Sequence, residues 1–205
     1  SASKFKLNGN SGNDTVIFSS IGTVDVSGIS GQIYGGKGND TITVINSAGS
    51  FDDTTIAGGV GNDNITVRQM ANTFAGGLIE GDASNADAGK DTITVDFGTW
   101  SGTSILGRNG IDSIVLSALD ADGGKNYIDG GRGNDLIEFA TAAFVFSGST
   151  IAGGQGNDII NNSGKSAGAN TQTLKSGVIR MGAGVDTLVL SASTTAAGAD
   201  GLTVA

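Results

Sequence analysis

Apolar residues recur in this chain two positions apart, in short runs that follow an aspartate. Thr41-Ile42-Thr43-Val44 after Asp40 shows the pattern at its clearest. Alternation of this period marks a strand with one face inward. The preceding aspartates are Asp14, Asp40, Asp63, Asp91, Asp112, Asp135, Asp158 and Asp186, at intervals of 26, 23, 28, 21, 23, 23 and 28 residues. Two positions after them stand Val16, Ile42, Ile65, Ile93, Ile114, Ile137, Ile160 and Leu188. Four positions after stand Phe18, Val44, Val67, Val95, Leu116, Phe139, Asn162 and Leu190, apolar in all but one. Seven positions before stand Leu7, Ile33, Ile56, Ile105, Ile128, Ile151 and Ile179; at Asp91 a five-residue insertion moves the equivalent Ile79 upstream. No segment keeps an i, i+3, i+4, i+7 pattern for long, so no helix is expected.

The unit is a strand, a glycine-rich turn, a second strand and a return of variable length. Such a unit is too short to bury its own apolar face, so neighbouring copies must stack. Stacking places each isoleucine above its counterpart. The predicted fold is therefore an all-β, right-handed parallel β-solenoid of about eight coils, with one column of turns and residues 1–205 as a single domain. Burying each aliphatic side chain contributes roughly 1.5–3 kcal/mol. The return segments Asn46 to Phe51, Ala118 to Asn126 and Ser163 to Thr173 are rich in small and polar residues and read as surface turns. A β-sandwich of short strands is the weaker alternative, because the turns repeat more strictly than the strands.

Composition narrows the chemistry. The chain has 36 glycines, no proline, no cysteine and no histidine. Disulfides, thiolate and imidazole metal sites, and Ser-His catalysis are thereby excluded. A formal net charge of −9 argues against nucleic acid, which needs a basic footprint. No apolar run approaches membrane-spanning length. The acids are almost all aspartate, with Glu80 and Glu138 the two glutamates, which points to carboxylates held in turns.

The turns spell Gly35-Gly36-Lys37-Gly38-Asn39-Asp40, Gly58-Gly59-Val60-Gly61-Asn62-Asp63, Gly130-Gly131-Arg132-Gly133-Asn134-Asp135 and Gly153-Gly154-Gln155-Gly156-Asn157-Asp158. Partial copies occupy 9–14, 107–112 and 181–186, and the loop 86–91 keeps only its last glycine and Asp91. Glycine supplies positive φ in a tight turn, but it does not explain the aspartate. Stacked copies set the carboxylates in a column at about the 4.8 Å strand spacing. Charges this close repel unless they take up protons or share a cation. An all-oxygen site of carboxylates and turned-in carbonyls is suited to calcium, and less to magnesium with its strict octahedron.

The motif resembles the GGxGxDxUx repeat of the RTX, or hemolysin-type, calcium-binding family, over almost the whole chain. The resemblance implies a β-roll in which several Ca2+ ions sit between successive turns, at most seven for eight turns. It implies ligation by Asp14, Asp40, Asp63, Asp91, Asp112, Asp135, Asp158 and Asp186 with loop positions Gly36, Gly38, Gly59, Gly61, Gly131, Gly133, Gly154 and Gly156. It also implies type I secretion as an unfolded chain that folds on extracellular calcium. Family repeats of nine residues place turns on both edges of the roll, whereas one edge is expected here. The gaps between full motifs should be the firmest sites. Those touching 86–91 are the weakest, with Asp82 and Asp87 as possible substitutes.

Catalysis finds little support. Asp52-Asp53 and Asp120 with Asp122 are the carboxylate pairs outside the turns, and both read as solvated turn residues, while Asp129 reads as the entrance to its turn. Ice binding would need a threonine column on the turns, and the position three before each aspartate holds none. A structural role remains: an extracellular calcium-binding module of a surface layer, filament or adhesin. Its partners would be itself or neighbouring repeats through open solenoid ends, or a cell-surface polysaccharide. The alternative is a non-catalytic secretion and folding module of a type I-secreted enzyme or toxin. Leu7 stands close to the first residue, and Leu202 falls where the commonest spacing places the next strand, so the 205 residues are expected to be a piece of a longer array or a block that another copy continues.

Overall fold

The computed structural model describes residues 4–20, 30–46, 52–83, 88–117, 124–140, 144–162, 172–175, 177–190, 194–196 and 203–204. Every strand pairing is parallel, and each strand neighbours its counterparts in the coils before and after it. Sheet A stacks nine strands: Lys4–Ser11, Ser30–Lys37, Thr55–Val60, Leu78–Asp82, Ser104–Asn109, Tyr127–Arg132, Thr150–Gln155, Val178–Ala183 and Thr203–Val204. Sheet B stacks eight: Thr15–Ser20, Thr41–Asn46, Asn64–Ala75, Thr92–Ser101, Ser113–Leu116, Leu136–Phe139, Ile159–Asn162 and Thr187–Leu190. A turn ending in a marker aspartate joins each of the first eight strands of A to its partner in B, glycine-rich in all but the one before Asp91. The chain is an all-β parallel solenoid, and no helix occurs among the described residues.

The aliphatic columns pack as their spacing predicts. Leu7, Ile33, Ile56, Ile79, Ile105, Ile128, Ile151 and Ile179 pair in direct register along sheet A. Ile42, Ile65, Ile93, Ile114, Ile137 and Ile160 do the same along sheet B. All except Leu7, at one end of the stack, are buried and form one core cluster. The insertion before Asp91 is absorbed between the strands, so Ile79 stays in its column. At the far end Val204 pairs with Ile179. The ladder position expected at Leu202, which lies outside the described residues, is thus taken two residues later.

The return segments hold more structure than the sequence suggests. Asn64–Ala75 and Thr92–Ser101 run beyond sheet B onto a third side, crossing an irregularity between Gln69 and Thr73 before pairing Phe74 with Trp100. Both rings are completely buried. Further along, Phe144–Ser147, Gln172–Lys175 and Thr194–Ala196 form a three-stranded sheet C. The corner leading back to sheet A has its own device. Asp53, Gly76, Gly102, Lys125 and Gly148 take φ between 50° and 67°, and Thr54, Gly77, Thr103, Asn126 and Ser149 follow them. The polar members of this second column are buried and bond across coils. Thr103 N–H donates to Asn126 Oδ1 at 2.9 Å, and Asn126 N–H to Ser149 Oγ at 2.9 Å. Asn126 is therefore a core residue, not part of a loose surface turn.

Candidate metal centre

The turns between A and B bring all eight marker aspartates into one column. Asp14 N–H donates to Asp40 Oδ1 at 2.7 Å, and Asp40 N–H to Asp63 Oδ1 at 2.7 Å. The same bond joins Asp63 to Asp91, Asp91 to Asp112, Asp112 to Asp135, Asp135 to Asp158 and Asp158 to Asp186. Each main-chain carbonyl from Asp14 to Asp158 accepts the N–H one residue past the next aspartate, as when Thr41 donates to Asp14 at 2.8 Å. From Asp40 to Asp158, one carboxylate oxygen and the carbonyl of each aspartate are thus consumed by the stack itself.

The other carboxylate oxygen has a different fate. Oδ2 of Asp14, Asp40, Asp91, Asp112, Asp135 and Asp158 is buried and accepts no hydrogen bond. Leaving such groups buried is costly, because water has been removed and nothing replaces it. The neighbour that each Oδ2 meets is set by the first glycine of its loop. A Cβ on Gly35 would lie 2.5 Å from Asp40 Oδ2 and 2.5 Å from the Gly58 carbonyl oxygen. On Gly130 it would lie 2.7 Å from Asp135 Oδ2 and 2.5 Å from the Gly153 oxygen, and on Gly153 it would meet Asp158 Oδ2 and the Met181 oxygen. The first glycine therefore keeps open a space flanked by a carboxylate of its own coil and a carbonyl of the next.

The second and third glycines do another job. They adopt φ near 120°, as at Gly36, Gly38, Gly59 and Gly61, and each packs on the carbonyl of its counterpart one coil back. Asn10 and Arg108 occupy second-glycine positions with φ of 75° and 83°, a conformation unusual for residues with a Cβ. The asparagines before the aspartates form a parallel ladder. Asn13 Oδ1 accepts from Asn39 N–H at 2.8 Å, Asn39 from Asn62 at 2.9 Å and Asn134 from Asn157 at 2.8 Å. Their sequence signal was visible, but its structural meaning was not.

Charge is strained along the middle of the column. Burial is the main cause that pushes the Asp91 carboxyl up to about 8, helped by Asp112 and Asp82, against the lowering effect of a backbone hydrogen bond. Burial likewise raises Asp112 to about 7 and Asp135 to about 6, and it raises Asp158. The column favours either bound protons or a cation. Among the described residues no three carboxylates converge on one point, so an ion here would draw on carboxylates and main-chain carbonyls together. Hard oxygens of this kind suit calcium.

The family model for the RTX calcium-binding nonapeptide repeat matches the chain in four copies, over residues 32–43, 118–138 and 148–163. This chain carries RTX calcium-binding repeats. Such repeats bind Ca2+. No curated protein and no solved structure matches the chain. The RTX loops at 35–40, 130–135 and 153–158 lie inside the matched residues. The loop 58–63 lies outside them and repeats the same stacking geometry.

Beside the irregular loop 86–91, Asp82 pairs with Gly59 and so takes a second-glycine position, where it is fully buried. Asp87 lies outside the described residues. In the next coil, Arg108 reaches back to Glu80, with Nη2 at 2.6 Å from Oε2. Asp52 and Asp53 sit in a turn at the third-side corner, as solvated turn residues would, and Asp120 and Asp122 lie outside the described residues. Asp129 differs from its expected place. It belongs to the sheet A strand Tyr127–Arg132, accepts a bond from the Tyr127 hydroxyl at 2.7 Å, and faces a surface groove rather than the turn.

Proposed function

We propose that this chain is a structural module that folds on extracellular calcium and stacks as part of a surface layer, filament or adhesin. The supporting observation is the column of buried carboxylate oxygens without a hydrogen-bond donor, opposed by carbonyls of the next coil. Asp14, Asp40, Asp63, Asp91, Asp112, Asp135, Asp158 and Asp186 would hold the ions in the gaps between turns. The carbonyls of Gly35, Gly58, Gly130 and Gly153 complement them, beside the glycines that shape each turn. Calcium supplies positive charge where the fold concentrates negative charge, and a site absent from the unfolded chain turns binding energy into folding energy. Residues 1–205 act as one such unit, exported by a type I route. Its role is scaffolding rather than catalysis, because its buried carboxylates are committed to the stack.

In this reading a further copy or repeat continues the parallel pairing of both sheets. The test is circular dichroism and electron microscopy, with millimolar calcium and with a chelator. Calcium should induce the β signal and produce ordered assemblies, and the chelator should abolish both. An unchanged β signal in chelator would overturn calcium-coupled folding. Calcium-dependent folding without assembly would instead favour a secretion and folding module within a larger enzyme or toxin.

A further inference from the structure

The outer face of sheet A bears a groove of about 460 Å³ across the coils from Ser104 to Ala183. Its volume falls within the range of small-ligand sites. The chain has four arginines, and three of them, Arg108, Arg132 and Arg180, line this groove. That concentration is unexpected in a molecule of net charge −9. The ion pairs among the described residues are Arg68 with Asp96 and Arg108 with Glu80. Arg132 and Arg180 are exposed and form none.

The floor explains why a groove exists at all. Gly131, Gly154 and Gly182 stand in register beneath it, so the glycines required by the turns leave no side chains on the adjoining strand ends. Tyr127 stands on one wall, 37% exposed, with its hydroxyl held by Asp129. The groove thus offers an apolar ring surface, an acceptor for hydroxyl groups and two guanidinium forks without an ion pair among the described residues. A guanidinium binds a carboxylate through two parallel charge-assisted hydrogen bonds. An aromatic ring with a polar tip suits a partner that is apolar on one face and wet on its edges.

We propose that this groove binds an acidic polysaccharide, with its sugar rings against Tyr127 and its carboxylates on Arg132 and Arg180. Sugar hydroxyls reach Asp129, and the repeating charge of the polymer matches guanidiniums set on different coils. The site requires the folded solenoid but not its assembly.

The experiment is isothermal titration of calcium-loaded protein with a hyaluronan tetrasaccharide, a chitin tetrasaccharide and inorganic phosphate, with circular dichroism on every sample. The charged tetrasaccharide should bind, and the neutral one should bind at least about tenfold more weakly. Arg132→Gln with Arg180→Gln should weaken the charged ligand by about tenfold or more, while Arg68→Gln, outside the groove, leaves it unchanged. No binding of the charged sugar to folded protein overturns the proposal. Equal binding of the neutral sugar, unchanged affinity in the double variant, or binding of phosphate alone does so too. Loss of the β signal would implicate the calcium fold instead, and Arg132→Lys with Arg180→Lys then supplies the test, since it preserves charge and should still weaken the bidentate contact.

Discussion

A single missing methyl group shapes the aspartate column. In the loops before Met181, which takes this position in the last one, the first glycine is required not for positive φ but for the space above its Cα, which a side chain would fill beside the buried Oδ2. Substitution Gly130→Ala places a carbon within 2.7 Å of Asp135 Oδ2 and 2.5 Å of the Gly153 oxygen, both backed by packed strands. We expect a loss of about 1–3 kcal/mol in urea unfolding at saturating calcium, together with one fewer bound ion by calcium titration. An unchanged stoichiometry would show that the space beside Oδ2 is not the ion's. The Asn ladder, in contrast, is a main-chain clamp whose oxygens are consumed between coils.

At the scale of strands and corners, the two polar columns solve one problem in two ways. Each corner breaks the sheet ladder and exposes an N–H that needs an acceptor from the next coil. The glycine-rich corner uses Asp Oδ1, whereas the third-side corner uses the short oxygens of Asn126 and Ser149. Neutral acceptors there need no ion, which accounts for a calcium-type turn on one edge only. Between the corners, Phe74 and Trp100 seal the third side against the core. Trp100→Ala should cost about 3–5 kcal/mol, read as a lower urea midpoint in calcium, with the calcium stoichiometry retained. A cost within ±0.5 kcal/mol would mean that the third side is not part of the cooperative fold.

Over the whole molecule, the column links folding to pH. Asp91, Asp112 and Asp135 have folded-state values of about 8, 7 and 6 against an ordinary 3.8. The calcium-free folded state therefore binds more protons than the unfolded chain between pH 3.8 and these values. Its stability must fall as pH rises through that window and level off above about 8. In chelator, the β signal that is lost at pH 8 should partly return at pH 5. Under the proposed ligation calcium binds the deprotonated column, so its affinity should rise over the same interval, with protons released on binding. A chelated protein that becomes more stable toward pH 8 would contradict the charge-strained column.

The sequence by itself determined the coil, the core columns and the line of aspartates. These features repeat because stacked identical positions face identical neighbours, and a residue that must match its counterpart one coil away leaves a periodic trace. The third side left none: Phe74 and Trp100 meet across returns of unequal length, and its corner column reads Thr, Gly, Thr, Asn and Ser without a common word. The carboxylate partners were equally hidden, since a carbonyl has no letter of its own, and only the stacked backbone shows which glycine oxygen faces Oδ2. The groove belongs wholly to tertiary structure. Its arginines come from different loop positions on different coils, and distance along the chain cannot say that Arg132 and Arg180 share one surface.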